Sequence, residues 1–282
     1  MSVVQVSPTP LTRTAAAVVM QRPAGVPVGM HTASGPGWTV CADVDVAAWE
    51  SAAFEALPGW YGAAHPATAS AYVLHWYAGV VGTVGAVFFR HARRVPRLDP
   101  SSLAFHREPG NPIPDAYALL DERFWCLPDD AEAAHPFATV VPDVDALAAT
   151  LRAQVRAHAD AFLAGYRPGS PLPRRALLGA FFDGLDTGLW CAEDGTTHPP
   201  DPATALLEGG RVLPGGTVEF AQRSTLRRIV DGHDRKWLTR RRVSCCFYYR
   251  VCPEGPADRE VSCSTCPRTS DEERLRRYTA LP

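Results

Sequence analysis

Hydrophobic positions along the chain fall into blocks of different period. The longest apolar block covers residues 67–90, and within it 71–89 (AYVLHWYAGVVGTVGAVFF) has His75 as its sole ionisable side chain. A run of this length raises the question of a membrane span. His75, Thr83, the glycines Gly79, Gly82 and Gly85, and the scarcity of Leu and Ile favour a buried core helix instead. Pro66 suits the first turn of such a helix, and Arg90, His91, Arg93 and Arg94 suit its negative end. Residues 44–56 predict a helix capped by Asp43 and stopped by Pro58-Gly59. Residues 144–166 place Leu147, Leu151, Val155 and Phe162 on one face at helical spacing, ended by Gly165 and Pro168-Gly169. Residues 174–190 (RRALLGAFFDGLDTGLW) predict another apolar helix, weakened by its glycines.

The remaining elements are shorter. Residues 102–107 and 117–120 predict strands around the Gly/Pro loop 108–114, with a third strand at 124–127, which together make a small antiparallel sheet. Asp201-Pro202 opens a short helix to Leu207, and Pro214-Gly215-Gly216 turns between short strands within 212–220. Ser224 is positioned to cap a helix through Val230. Ser270-Asp271-Glu272-Glu273 matches a capping box that opens a helix through Tyr278. Residues 1–37, rich in Pro, Gly, Ser and Thr, predict largely irregular backbone with a short strand at 15–20. The sum is an α+β fold. A predominantly helical body with a small antiparallel sheet occupies 1–222, and a C-terminal cysteine-rich segment, 223–282, packs on it as one domain.

Composition changes this picture in two places. A chain of 282 residues with 46% apolar and 21% charged side chains builds a sizeable core without staples, so its eight cysteines need another explanation. Cys41, Cys126 and Cys191 are scattered, as packing cysteines are. Cys245, Cys246, Cys252, Cys263 and Cys266 fall within 22 residues, which points to a metal, a cluster or a disulfide knot. No basic residue precedes Arg13, and the apolar run 15–20 is too short for a signal-peptide core, so the expected compartment is the reducing cytoplasm. Charge is the second place. The net −2 conceals 14 basic and 8 acidic side chains in residues 221–282 against 14 and 22 in the first 220. No nucleic-acid motif accompanies this basic segment, so no nucleic-acid partner is expected.

The chemistry lies in Cys245-Cys246, Cys252 and Cys263-Ser-Thr-Cys266. Two thiolates spaced as Cys-x-x-Cys converge on one metal, and the turn's N–H groups can bond the sulfurs. The vicinal pair discriminates further. Adjacent Cα atoms lie about 3.8 Å apart, and successive strand side chains point to opposite faces. Aiming both sulfurs at one tetrahedral zinc therefore demands a local distortion, whereas a two-iron cluster offers a more extended target. Arg235, Lys236, Arg240, Arg241, Arg242 and Arg250 lie nearby in sequence and suit an anionic cluster; a solvated basic face is the plain alternative. Trp237, Phe247, Tyr248 and Tyr249 either shield such a centre, stack on a ligand, or simply pack. The histidines fit poorly as ligands, the nearest being His233. No Gly-rich dinucleotide fingerprint follows a strand.

The vicinal pair in RRVSCCFYYR, the closing CSTCP and the helix after it resemble the FhuF family of ferric-siderophore reductases over about residues 237–278. The aromatic long helix and RRALLGAFFDGLDTGLW are loosely similar to that family's body. The resemblance implies a [2Fe–2S] cluster ligated by Cys245, Cys246, Cys263 and Cys266, and one-electron reduction of chelated ferric iron in the cytoplasm. It further implies a ferric siderophore as substrate, a separate electron donor (ferredoxin, flavoprotein or similar), and no catalytic side chain beyond the ligands. Peripheral association with the inner membrane is compatible with it. One departure is the spacer of sixteen residues between the pairs, longer than the family's usual one and holding Cys252, which is either a substitute ligand or a free thiol beside the cluster. Two alternatives stand beside it. One is a non-enzymatic module, with structural zinc or a redox-sensing cluster that binds a partner through the arginines. The other is a remnant of a siderophore synthetase of the IucA/IucC type, against which the length speaks.

Overall fold

A computed structural model describes residues 9–21, 27–31, 33, 35–191, 202–252 and 262–280. In chain order the elements are α1 (Pro10–Ala17), β1 (Val19–Gln21), β2 (Pro27–His31), β3 (Trp38–Val40), α2 (Val46–Tyr61), α3 (Pro66–Ala92), β4 (Arg94–Pro96), β5 (Leu103–His106), β6 (Ala116–Leu119), β7 (Phe124–Cys126), β8 (Ala138–Val140), α4 (Val144–Gly165), α5 (Arg174–Cys191), α6 (Pro202–Val212), β9 (Arg227–Val230), β10 (Lys236–Thr239) and α7 (Asp271–Thr279). The fold is α+β with a helical body, as the sequence pattern predicts.

Helices α3 and α5 form its spine. Helix α3 is long and apolar enough to cross a membrane, but 72% of its most apolar window is buried within the protein, which fits a core helix. The glycines of α5 do not weaken it; they let the two helices touch backbone to backbone. A Cβ on Gly82 would collide with the backbone of Gly184, and one on Gly184 with the carbonyl of Ala78. Tyr77 of α3 stacks on Phe162 of α4, with ring centroids 3.8 Å apart. His158 of α4 bridges the Leu98 carbonyl and, at 2.9 Å, the Tyr77 hydroxyl inside the same core.

Strands β1-β2-β6-β5-β3 form one sheet, antiparallel except for the β2/β6 pair, with β5 and β6 in register from Leu103↔Leu119 to His106↔Ala116. The expected third strand at 124–127 does not extend this sheet. It becomes β7 of a separate three-stranded sheet, β4-β7-β8. There Arg94 lies over the Phe124 ring and makes a two-pronged ion pair with Asp130 at 2.8 and 2.7 Å.

Local predictions fail where distant packing outweighs a local stop signal. Residues 1–37 are less irregular than their composition suggests. Thr9 accepts from Thr12 N–H and Pro10 opens α1, so helix replaces the first part of the strand expected at 15–20. Helix α2 is capped by Asp45 rather than Asp43, and it runs through Pro58 to a left-handed Gly62. The turn beyond the proline carries Trp60 and Tyr61, whose rings pack edge-on against Trp76 and Tyr72 of α3. Helix α6 continues past Leu207 to Val212, with its expected cap Asp201 outside the described residues. Within 212–220 there is no strand pair, only a single bridge from Pro214 to Arg223. Ser224 caps no helix. Residues 227–230 are β9, paired in a hairpin with β10, and Asp231 closes the turn by accepting the His233 and Arg235 N–H groups at 2.8 and 3.0 Å.

The helix spine makes opposite demands three residues apart. Gly82→Ala should force α3 and α5 apart and cost more than about 2 kcal/mol. Gly79→Ala, where a Cβ meets nothing within 4 Å, should be neutral or stabilising by up to about 1 kcal/mol. Urea midpoints of the two variants check this ordering.

Candidate metal centre

The site begins with a carboxylate on α5. Asp183 is 2% exposed and pairs with Arg240, which is 1% exposed and lies just beyond β10. Its two oxygens also accept the N–H groups of Val243 and Ser244, each at 2.9 Å, so it holds the two residues before Cys245. One turn further along α5, Asp186 stands 3.3 Å from Arg240 Nε and accepts from the Ser224 and Thr225 hydroxyls at 2.6 and 2.7 Å. Spacing of three residues on a helix puts both carboxylates on one face. From α3, Thr68 donates to the Phe247 carbonyl at 3.0 Å, fixing the far side of the vicinal pair.

A second brace holds the Cys-x-x-Cys loop. Ser270 caps α7 by accepting the Glu273 N–H at 3.1 Å. The Glu273 carboxylate pairs with Arg276 and Arg277 down its own helix. The helix thereby aims the buried Arg274 back at the loop, where it donates to the Ser264 and Cys266 carbonyls at 2.7 and 2.6 Å. A direct bond from Arg242 N–H to the Thr265 carbonyl, 2.9 Å, ties the two cysteine loops together.

These braces bring the four sulfurs into contact. Cys246 Sγ lies 4.0 Å from Cys263 Sγ, and Cys266 bears electrostatically on both Cys245 and Cys263. The vicinal cysteines therefore take different partners across the site. The distortion that the adjacent pair requires is visible at Phe247, which has φ 54 and donates its N–H to Cys245 Sγ at 3.4 Å. Arg268 N–H does the same for Cys266 Sγ at 3.4 Å. Among the described residues, the one group of three ligand-type side chains with all donor atoms within 4.8 Å of one another is His106, Glu108 and Asp115, so no three cysteine sulfurs are that tightly grouped. A single tetrahedral zinc with 2.3 Å bonds would hold all four about 3.8 Å apart. The quartet is a chain of contacts, more extended than a mononuclear site.

The electrostatics favour bound negative charge. Cys263 is pushed well down by hydrogen bonds from Cys246 and Cys266, against burial and helped by Arg242. Cys245 is pushed down to about 6, chiefly by its hydrogen bond with Cys266. Cys246 and Cys266, the proton-bearing partners, are pushed up. Burial works against the charge of Arg242, yet the attraction of Cys246 and Cys263 outweighs it and raises its pKa. Its Nε has no hydrogen-bond partner, and among the described residues its guanidinium forms no ion pair.

A cleft of about 940 Å³ opens beside this quartet. Cys246 and Cys263 are on its wall with Trp60, Tyr61, Tyr72, Trp76, Tyr248, His75, Ile113, Arg242 and Arg277. Tyr61 meets Tyr248 edge-on at 4.9 Å, and Tyr72 meets Trp76 at 5.4 Å. Cys252 lies on the same wall, and with burial it pushes the Tyr248 pKa up.

All four expected ligands thus converge, whereas the expected basic surround is divided. Arg240 serves Asp183 and Arg235 serves Asp231, while Arg242 and Arg268 are the cations that bear on the sulfurs. Trp237 stacks on Tyr278 and packs rather than lining the cleft. Sequence reasoning missed Asp183, Arg274 and His75. His75 sits at 2.7 Å from the Ser244 hydroxyl and 2.6 Å from the Ala71 carbonyl, with burial and Arg242 holding its pKa down to about 4. The Asp-x-x-Asp spacing in RRALLGAFFDGLDTGLW was the available signal for the α5 brace. Compared with protein-family models, with curated proteins and with solved structures, the chain finds no match.

Asp183→Asn should leave the buried Arg240 with Asp186 as its remaining counter-charge and loosen the hold on Val243 and Ser244, costing about 1–3 kcal/mol, with metal binding by the cysteine quartet falling in parallel. Urea unfolding and metal analysis of the variant check both. Unchanged stability would show that the brace is dispensable.

Proposed function

We propose that this chain is a cytoplasmic ferric-siderophore reductase holding a [2Fe–2S] cluster on Cys245, Cys246, Cys263 and Cys266. The donor set fits such a group: four thiols, two of them acidified, backbone N–H bonds to Cys245 and Cys266, and a span wider than one tetrahedral ion. When bound, the cluster supplies a one-electron couple. The observation that carries the function is the position of Cys246 and Cys263 on the wall of an open, aromatic cleft large enough for a metal chelate.

Siderophores hold Fe(III) with hard oxygen donors far better than Fe(II), so adding one electron is itself the release step. The chain's task is then to hold the chelate against its ligand cysteines. Trp60, Trp76 and Tyr248 offer ring surface for the organic shell of the chelate, and Arg242 and Arg277 offer charge to its oxygens. No proton transfer or nucleophile is required. Electrons come from a separate carrier, a ferredoxin or flavoprotein. Cys252 is a free thiol of the cleft wall in this account, not a ligand.

Reconstituted protein, reduced with dithionite and freed of excess reductant, should be reoxidised by ferric siderophores in stopped flow. Fe(II) trapped by a chromogenic chelator should account for the electrons lost. Trp76→Ala should slow this about tenfold or more by loss of docking, while Cys252→Ser should leave iron content and rate unchanged. Reduced protein that no ferric siderophore reoxidises would make the chain a sensor or structural module instead.

A further inference from the structure

Cys245 and Cys266 do not line the cleft, and three exposed arginines surround them. Arg268 follows Cys266 by two residues and lies over the Tyr249 ring at 4.6 Å. Arg250 lies 6.0 Å from the same ring and 5.5 Å from the Phe247 ring. Arg241 donates to the carbonyl of Pro267, the residue between Cys266 and Arg268. Six arginines of the C-terminal segment, Arg227, Arg235, Arg240, Arg274, Arg276 and Arg277, form ion pairs with carboxylates, while Arg223, Arg228 and Arg242 form none among the described residues. Among the described residues Arg241, Arg250 and Arg268 form none; Arg250 meets only the neutral acceptor His65 Nε2, at 2.9 Å, and lowers that group's pKa together with burial. Two exposed guanidinium groups at the Tyr249 ring and a third at Pro267, beside two ligand cysteines and without a carboxylate partner among the described residues, concentrate positive field there.

We infer that Arg241, Arg250 and Arg268, beside Tyr249 and Pro267, form the docking surface for an acidic one-electron carrier protein. This rests on the reductase function proposed above. The carrier gives up one electron and the chelated Fe(III) takes up one; no bond forms or breaks between the proteins. Encounters of this kind use small interfaces, Tyr and Arg are enriched in interface cores, and complementary charge raises the association rate more than the affinity. The arrangement also separates the two partners. The chelate approaches by way of Cys246 and Cys263, the carrier by way of Cys245 and Cys266, so neither has to leave before the other binds.

A plant-type acidic [2Fe–2S] ferredoxin serves as the probe. Calorimetric titration with the oxidised ferredoxin at low salt should show binding that weakens as salt rises. The R241E/R250E protein should bind about tenfold or more weakly, and its reduction by reduced ferredoxin in stopped flow should slow by a similar factor. Its visible spectrum and its chelate reduction after dithionite treatment should stay as in the unmodified protein. Equal ferredoxin binding by the variant would overturn the proposal, and so would equal binding of a basic cytochrome c. Displacement of ferredoxin by a single-stranded oligonucleotide at equal concentration would likewise overturn it, in favour of a nucleic-acid surface. A colourless protein that still binds ferredoxin through these arginines would support this surface and refute the cluster.

Discussion

The buried ion pair between Asp183 and Arg240 governs where the cysteines stand. Its two charges are almost wholly removed from water, a state tolerated only when the remaining lone pairs are satisfied. Asp183 meets that condition with the N–H groups of Val243 and Ser244, and in doing so it converts an electrostatic requirement into a position for the backbone ahead of Cys245. The carboxylate can be there because α5 lies so close to α3, and the helices are that close because Gly82 and Gly184 have no side chains. Packing of the spine, burial of the ion pair and placement of the first cysteine loop form one chain of dependence. Arg274 repeats the device with opposite sign, spending its donors on the carbonyls of the second loop.

Four thiols held by two independent braces are poised for charge, not for a disulfide. Cys41, Cys126, Cys245, Cys246, Cys252, Cys263 and Cys266 form no disulfide. Each lowered thiol leans on a raised neighbour, and the nearest cations, Arg242 and Arg268, act on different members of the quartet. One half of the quartet meets an aromatic cleft, the other an arginine-rich exposed face.

Much of this was legible in the sequence where the signal is local or strongly periodic. The capping box at Ser270, the face of α4 and the apolar run of α3 need only their own residues to be recognised. The four clustered cysteines announce themselves by spacing. What was not legible depends on contacts across the chain. Asp183 reads as one polar interruption in an apolar helix until Arg240, 57 positions away, is seen to meet it. Pro58 reads as a stop until Trp60 and Tyr61 are seen packed against α3. The glycines of α5 read as weakness because a Cβ's absence has meaning only beside the surface it lets approach. Asp231-Gly232 carried a hairpin signal, but the serine at 224 offered a competing cap whose hydroxyl is in fact taken by Asp186.

The proposed cofactor is a two-iron cluster held by Cys245, Cys246, Cys263 and Cys266. Metal and acid-labile sulfide analysis of anaerobically reconstituted protein, read together with the EPR spectrum after dithionite reduction, tests it most directly. About two iron and two sulfide per chain are expected, with a one-electron signal of a reduced [2Fe–2S] centre. One zinc per chain, with neither sulfide nor signal, would contradict it.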